Sequence, residues 1–588
     1  MNVAERTRVS ATEAAQSWLA QFAAALQVQD AAAAAELFLA DGLWRDVLAF
    51  TWTIQTMAGR PAIEAKLRET LARTQPKTFR IPGKRTPPRW VSRAGTECIE
   101  AIFEFETAFG PAHGVLRLVP SAESPGRLRA WTLITNLQEL RGHEEAFKKH
   151  TPTATDSTRD FGAENWLDRL SKARAYADRD PTVIIVGGGQ AGLSLAARLH
   201  QLGVDTLIVD RHARIGDNWR KRYHSLTLHN EVHVNHLPYL PFPPTFPTFI
   251  PKDRLANWFE SYVESMELNF WTGTELVGGS YDERRRQWNV TLRRSDGSAR
   301  IMHPRHLVFA TGVSSIPFTP ALSGLDAYRG TAVHSGDFKN AEEWKDRKAL
   351  VLGSGTSGHD VAQELHAHGA EVTIIQRSPT YVVSLKEAQS VYAIYSEGIP
   401  FDDCDLLATS FPYPVLRRSY QISTAQGRAV DRALLDGLAA RGFRLFFGED
   451  ETGFQMMYLR RGGGYYFNVG CSDLIISGAI GLLQYADIES FVAQGARLRD
   501  GRVVPADLLV LATGYKNQQD TVRAYLGDEI ADKIGPVWGF DQGGELRNMW
   551  RRTAQPGLWF TAGSLAQCRI YSRTLALQIK ALEEGLLN

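Results

Sequence analysis

Hydrophobic residues change their spacing along the chain. Across roughly residues 11–40, Ala-rich sequence with apolar positions three and four apart predicts helix, and a second helix follows Pro61 in AIEAKLRETLAR. From Cys98 onward the pattern alternates instead, so CIEAIFEFETAF, HGVLRLVP and RLRAWTLITNL predict strands. Helices followed by a curved sheet predict an α+β domain over residues 1–145. Residues 146–180 are polar and charged, with a Thr/Ser/Asp cluster at 151–158, and predict a linker. Beyond it strands and helices alternate to the end, the pattern of a parallel-sheet α/β body.

Two glycine loops interrupt that body where strands turn into helices. Val183-Ile184-Ile185-Val186 is a β-branched run suited to a buried parallel strand, and it leads into Gly187-Gly188-Gly189-Gln190-Ala191-Gly192 and the helical LSLAARLHQLG. In such a unit Gly187 permits the tight turn, Gly189 lets the backbone approach a pyrophosphate, and Gly192 allows close helix–strand packing. The next strand ends in Asp210, 23 positions after Gly187, about where a carboxylate binds a ribose. The unit recurs as Ala349-Leu350-Val351-Leu352 followed by Gly353-Ser354-Gly355-Thr356-Ser357-Gly358. Its equivalent position, 23 after Gly353, is Gln376, followed by Arg377. No carboxylate there would repel a 2′-phosphate and a cation adjoins it, so NADPH is the expected donor over NADH. The alternative for Arg377 is that it caps a solvated strand end.

Between the loops lies Tyr328-Arg329-Gly330-Thr331-Ala332-Val333-His334-Ser335-Gly336-Asp337-Phe338-Lys339, an aromatic-x-Gly-x-x-x-His-x-x-x-Phe pattern. At this point the chain resembles the class B flavin-containing monooxygenases, whose FxGxxxHxxx(Y/F) element lies between two nucleotide motifs; Tyr328 departs from the Phe of that pattern. Related Baeyer–Villiger enzymes carry Trp where this chain has Phe338, so the resemblance leans toward heteroatom oxygenation. It extends over roughly residues 180–588. Ile215-Gly216-Asp217-Asn218-Trp219-Arg220 is similar to the family's GGxW-type segment, where Gly216 and Trp219 would line a flavin. LVFATG and LLVLATGY put Thr311 and Thr513 where relatives cross between nucleotide domains, and Gly563 precedes what resembles the closing flavin-contact helix. An asparagine faces the flavin in relatives, a part that Asn230 or Asn235 could play. His334 could bond the chain that positions NADP(H), or orient the linker between domains.

The resemblance therefore implies two Rossmann-like domains, one for FAD over 181–340 and 490–588 and one for NADPH over 341–489 with an aromatic-rich insert. It implies a monooxygenase that takes O2 and a small organic substrate, working through a C4a-(hydro)peroxyflavin. The implied reaction is N- or S-oxygenation, or oxidative decarboxylation of an aryl-pyruvate. Baeyer–Villiger chemistry is the alternative within this class, and a non-catalytic flavin or small-molecule sensor the alternative outside it. His334, Asn230 and Asn235 are the catalytic candidates, and no metal is expected because the flavin carries the chemistry.

Composition narrows the partners. Lys and Arg number 66 against 65 acidic residues, net +1, without a block of like charge, which argues against nucleic acid. Cys98, Cys404, Cys471 and Cys568 have neither zinc nor disulfide spacing and fit a reducing cytoplasm. No run approaches the roughly 18 apolar residues of a membrane span, and no secretory signal pattern opens the chain, so a soluble protein without a membrane partner is expected. Homo-oligomerisation stays open. Within residues 384–480, Tyr392, Tyr395, Phe411, Tyr413, Phe446, Phe447, Tyr465, Tyr466 and Phe467 suit either an apolar pocket or a packed subdomain core. The N-terminal region, with DGLWRDVLAFTW, is similar to cone-shaped NTF2-like and SnoaL-like domains. Asp46 and His113 are there a candidate polar pair in a cavity, or surface residues.

Overall fold

A computed structural model describes residues 9–149 and 161–587; the Thr/Ser/Asp cluster of the expected linker lies outside the described residues. The N-terminal helix Ala11–Gln27 starts where the Ser10 hydroxyl accepts the N–H of Glu13, and Ala31–Ala35 starts where Asp30 accepts that of Ala33. A third helix, Arg60–Thr74, carries Pro61 in its first turn, where a missing N–H costs nothing. They pack inside a seven-stranded sheet ordered Ile54–Ala58, Phe38–Val47, Leu128–Leu137, Pro111–Pro120, Thr96–Glu106, Lys77–Arg80, with Arg89–Arg93 also paired to Thr96–Glu106. The pairing of Phe38–Val47 with Leu128–Leu137 is parallel; the other pairings are antiparallel. Rings fill the concave side: Phe79 lies flat on Phe105 at 4.9 Å, and Trp18, Phe22, Phe38 and Phe103 pack around them.

Alternation in these strands suggests one solvated face, yet the central strands are buried on both. Residues Cys98–Phe103 of one strand and Gly114–Val119 of the next are buried without interruption. The outer face is covered by the α/β body: Ile102, Val115 and Ile134 form one apolar cluster with Leu406 and Leu407.

The body holds two parallel sheets. In the first, Asn269–Trp271, Thr206–Val209, Val183–Val186, His306–Phe309 and Leu558–Phe560 lie in that order. In the second the order is Thr331–His334, Leu508–Leu511, Lys348–Leu352, Glu371–Gln376 and Gly481–Gln484. Their inner β-branched and Leu-rich strands, such as Thr206–Val209, His306–Phe309 and Leu508–Leu511, are buried on both faces, whereas the edge strands Thr331–His334 and Gly481–Gln484 are partly exposed. The second sheet reaches past the expected 341–489 at both ends, because Thr331–His334 and Leu508–Leu511 hydrogen-bond to each other and Leu508–Leu511 to Lys348–Leu352. The aromatic-rich insert folds as helices, including Phe401–Ala408, Tyr413–Val430 and Gly453–Arg461, around a parallel ribbon of Tyr381–Ser384 and Tyr465–Asn468. Among the described residues no helix is long and apolar enough to cross a membrane.

Candidate active site

Both glycine loops use the same geometry. Gly187 and Gly353 have φ of 111° and 127°, left-handed values that a side chain would strain. A Cβ on Gly192 would stand 2.1 Å from the Gly187 carbonyl oxygen, and one on Gly358 2.0 Å from that of Gly353. Helix N-termini at Gly189 and Gly355 follow, with no side-chain cap on either, so their first N–H groups are available to an anion.

Asp210 sits at the end of its strand as the spacing predicts. The Gly188 N–H donates to one carboxylate oxygen at 2.7 Å, and the backbone N–H and Nδ1 of His212 meet the other at 2.9 and 2.7 Å. Burial pushes this carboxyl upward, but the His212 and Gly188 bonds outweigh it and hold the group below its ordinary range. A cleft of about 620 Å³ runs from Asp210 past Gly187, Gly189 and Asn218 to Thr311 and Gly563. The Thr311 hydroxyl is buried there without a protein partner. Gly216, at φ 83°, starts the short helix Asp217–Arg220 and directs Trp219, whose Nε1 donates to Gln190 Oε1 at 3.3 Å; Gln190 Nε2 in turn donates to the Gly563 carbonyl at 3.2 Å.

A second cavity, about 500 Å³, shares Gln190, Trp219, Val313, Ser314 and Gly563 with the cleft, so the two meet at that point. Of the insert's aromatic residues, Tyr392, Tyr395, Phe411, Tyr413, Tyr465 and Phe467 line it; Phe446, Phe447 and Tyr466 pack in subdomain cores. Asn230 and Asn235 both lie on its wall, in different ways. Asn235 is fully buried, and its Nδ2 donates to the carbonyls of Asn230 (3.0 Å) and Glu231 (3.1 Å), which leaves Oδ1 without a partner. Asn230 contributes its carbonyl to that anchor.

Beyond the second loop the Gln376 side chain is engaged by the insert. Its Nε2 donates to the Arg444 carbonyl at 2.9 Å and its Oε1 accepts the Arg444 N–H at 2.8 Å, a reciprocal clamp between residues 68 apart. Arg377 is exposed, and the Arg444 guanidinium donates to its carbonyl, so two cations gather at this strand end. Arg444 carried no local sequence signal. The insert also braces the loop: Tyr465 O accepts the Thr356 hydroxyl at 3.0 Å, and Tyr466 lies flat on His359 at 3.9 Å.

His334 has both ring nitrogens occupied within the chain. Nε2 donates to the Gly514 carbonyl at 3.1 Å and Nδ1 accepts the Gly336 N–H at 3.1 Å. Burial lowers its pKa against the opposing pull of the Gly514 bond and of Asp337, so the ring is neutral. It thereby ties its own strand end to the crossing segment after Leu508–Leu511. Thr513 in that crossing donates to the Phe318 carbonyl of the other crossing.

In the N-terminal domain, Asp46 and His113 do not form a pair. Asp46 is fully buried and accepts the Thr135 hydroxyl (2.6 Å) and the Thr51 N–H and hydroxyl (2.8 and 2.7 Å), clamping its own turn. His113 lies on the opposite face of the sheet, 3.0 Å from the Arg85 guanidinium. Two residues that sequence reasoning missed do reach the cavity: Arg45 from this domain and Glu545 from the body, bonded side by side through two 2.8 Å contacts. They are 500 positions apart, and no local pattern marks either.

Residues 184–395 match the family model described as pyridine nucleotide-disulphide oxidoreductase. Indole-3-pyruvate monooxygenase YUCCA1 of Oryza sativa subsp. japonica is 29% identical over 338 residues, 57% of this chain and 77% of that protein. In fold, the chain is similar to the OTEMO complex with FAD and NADP (TM-score 0.52, 15% identity, 69% of this chain and 87% of that one). It is also similar to the open form of cyclohexanone monooxygenase (TM-score 0.50, 16% identity, 69% and 88%).

Proposed function

We propose, for a chain that belongs to the flavin-dependent monooxygenases and is an FAD-dependent oxidoreductase, that the junction of its two cavities is where one oxygen atom from O2 enters a small organic molecule. The observation that carries this reading is the shared wall of Gln190, Trp219, Val313, Ser314 and Gly563 between the nucleotide cleft and the aromatic cavity. FAD fits the first loop: Gly187, Gly189 and Gly192 receive its pyrophosphate, Asp210 its ribose, and Gly216, Trp219, Thr311 and Gly563 line the rest. NADPH would be held at the second by Gly353, Gly355 and Gly358, where Arg377 and Arg444 would be available to its 2′-phosphate.

Bound there, the flavin supplies the redox chemistry that activates oxygen. The residues of this chain bind, orient and shield. Gln190 and Trp219 hold each other at the junction, and the aromatic wall keeps water from the reacting centre. Asn235 Oδ1 offers a buried acceptor beside it, while His334 is a positioning residue that holds the two crossings. Thr513 acts with it. The substrate centre is a soft nitrogen or sulfur atom, in keeping with the buried Phe338 of the signature segment. The N-terminal domain, with helices held in a cone of strands, reads as NTF2-like. Four free, buried cysteines suit a cytoplasmic setting.

The test is to load the protein with FAD and NADPH under ¹⁸O2 and present an amine, methyl phenyl sulfide and a ketone. One ¹⁸O atom in an N- or S-oxide, with NADPH consumption matched to product, is the expected result. NADPH oxidation that yields only hydrogen peroxide across the panel overturns the reading, and labelled ester from the ketone alone moves it to Baeyer–Villiger chemistry.

A further inference from the structure

The aromatic cavity has a wall that the nucleotide-binding body does not supply by itself. Ile54 and Arg45, from paired strands of the N-terminal sheet, both line it. Arg45 is 6% exposed and Glu545 7%, and among the described residues these are the only Arg, Lys, Asp or Glu lining the cavity. Each is bonded chiefly to the other, and Tyr571 also contacts Arg45. Arg45 Nε and Nη2 donate to the two Glu545 carboxylate oxygens at 2.8 Å, Arg45 Nη1 donates to the Thr409 carbonyl at 2.9 Å, and the Thr56 hydroxyl donates to Glu545 at 2.9 Å. The one histidine among the described residues on the wall, His229, keeps part of its surface exposed, and desolvation within the chamber pushes its pKa down to about 4.

An organic anion entering this space would lose its water and find no unpaired cation, with the Glu545 carboxylate near its path. Burying an uncompensated carboxylate is among the most costly transfers a binding site can make. An uncharged aromatic molecule, by contrast, exchanges water for Tyr392, Tyr395, Phe411, Phe467 and Trp550. We propose that the N-terminal domain is a built-in wall of the substrate chamber, and that its Arg45–Glu545 pair selects uncharged aromatic substrates and rejects aryl carboxylates such as aryl-pyruvates. This rests on the monooxygenase reading for the identity of the chamber, and it separates the aryl-pyruvate branch from the heteroatom branch.

Two probes of one shape test it: methyl phenyl sulfide and 4-(methylthio)benzoate, which differ by a carboxylate. With FAD-loaded protein, equilibrium dialysis gives each dissociation constant and chromatography gives each sulfoxide. The neutral sulfide is expected to bind at least about tenfold more tightly, a modest fraction of the cost of an unpaired buried charge. Glu545→Gln leaves Arg45 with spare positive charge and is expected to narrow or invert the preference. Arg45→Met combined with Glu545→Gln removes both charges and is expected to restore it. Equal or tighter binding of the benzoate by the wild-type protein overturns the proposal, as does a Glu545→Gln variant with unchanged preference. If neither sulfide is oxygenated while the binding preference holds, the monooxygenase reading fails and the selectivity of the cavity stands.

Discussion

At the scale of single residues, spacing located the groups that backbone geometry demands and missed those that only tertiary contacts decide. Asp210 stands where its distance from Gly187 puts it, since strand and helix lengths in such a unit vary little. The same count led to Gln376, but gave no sign that Arg444 would clamp that side chain from 68 positions away. The clamp runs through the Arg444 main chain, so Arg444→Ala keeps it while removing the guanidinium. Arg377→Ala and Arg444→Ala are each expected to raise KM for NADPH about tenfold, in line with the loss of one charge-assisted contact, and to leave KM for NADH unchanged. Steady-state kinetics with both nicotinamides measures this. Equal effects on the two cofactors would remove both arginines from the 2′-phosphate site.

Whole elements were legible where hydrophobic period and turn residues agree. Both strand–glycine–helix units satisfy that condition. The strand Phe38–Val47 does not, because its register breaks between Phe38 and Leu43 and its last six residues are all buried, so DGLWRDVLAFTW shows no clean alternation. The two helix–strand contacts at Gly192 and Gly358 give a paired prediction. A methyl group at either position meets backbone oxygen at 2.0–2.1 Å. Gly358→Ala is expected to purify with FAD and to lose NADPH-driven flavin reduction, whereas Gly192→Ala is expected to purify without flavin; visible absorbance and anaerobic reduction distinguish them. At the helix Leu565–Glu583, the Ser564–Gln567 capping box satisfies N-terminal N–H groups beside the cavity junction. Ser564→Ala should lower stability by about 1 kcal/mol, read from chemical denaturation.

For the molecule as a whole, the join between the N-terminal sheet and the body escaped the sequence because its partners are distant along the chain and mostly polar. Arg117 reaches Ser410 of the body across this join, and Glu100 of its own sheet holds it in place. Burial raises the pKa of Glu100, but Arg117 and Arg93 more than offset this and hold the carboxyl down to about 2 from an ordinary 4.5. A depressed carboxylate stabilises the fold above its unfolded pKa and loses that stabilisation as acid protonates it. The loss is therefore expected between pH 4.5 and about 2, up to about 3 kcal/mol, with Arg117 released from Glu100. Thermal midpoints and tryptophan fluorescence followed down through this window should show it. Glu100→Gln should start less stable at neutral pH and lose less on acidification; an identical acid profile would assign the loss to other carboxylates.

The parallel pairing of Phe38–Val47 with Leu128–Leu137 closes the N-terminal sheet early, whereas the first nucleotide sheet ends only with Leu558–Phe560 and the chamber wall only with Tyr571. The strands of the N-terminal sheet are therefore complete in the chain long before the surface they dock against. Through most of translation the outer face of that sheet, with Ile102, Val115 and Ile134 among ionised neighbours, must stay dispersed in water. On that face Arg45 and Arg117 reach Glu545 and Ser410, partners that the chain supplies only 500 and 293 positions later.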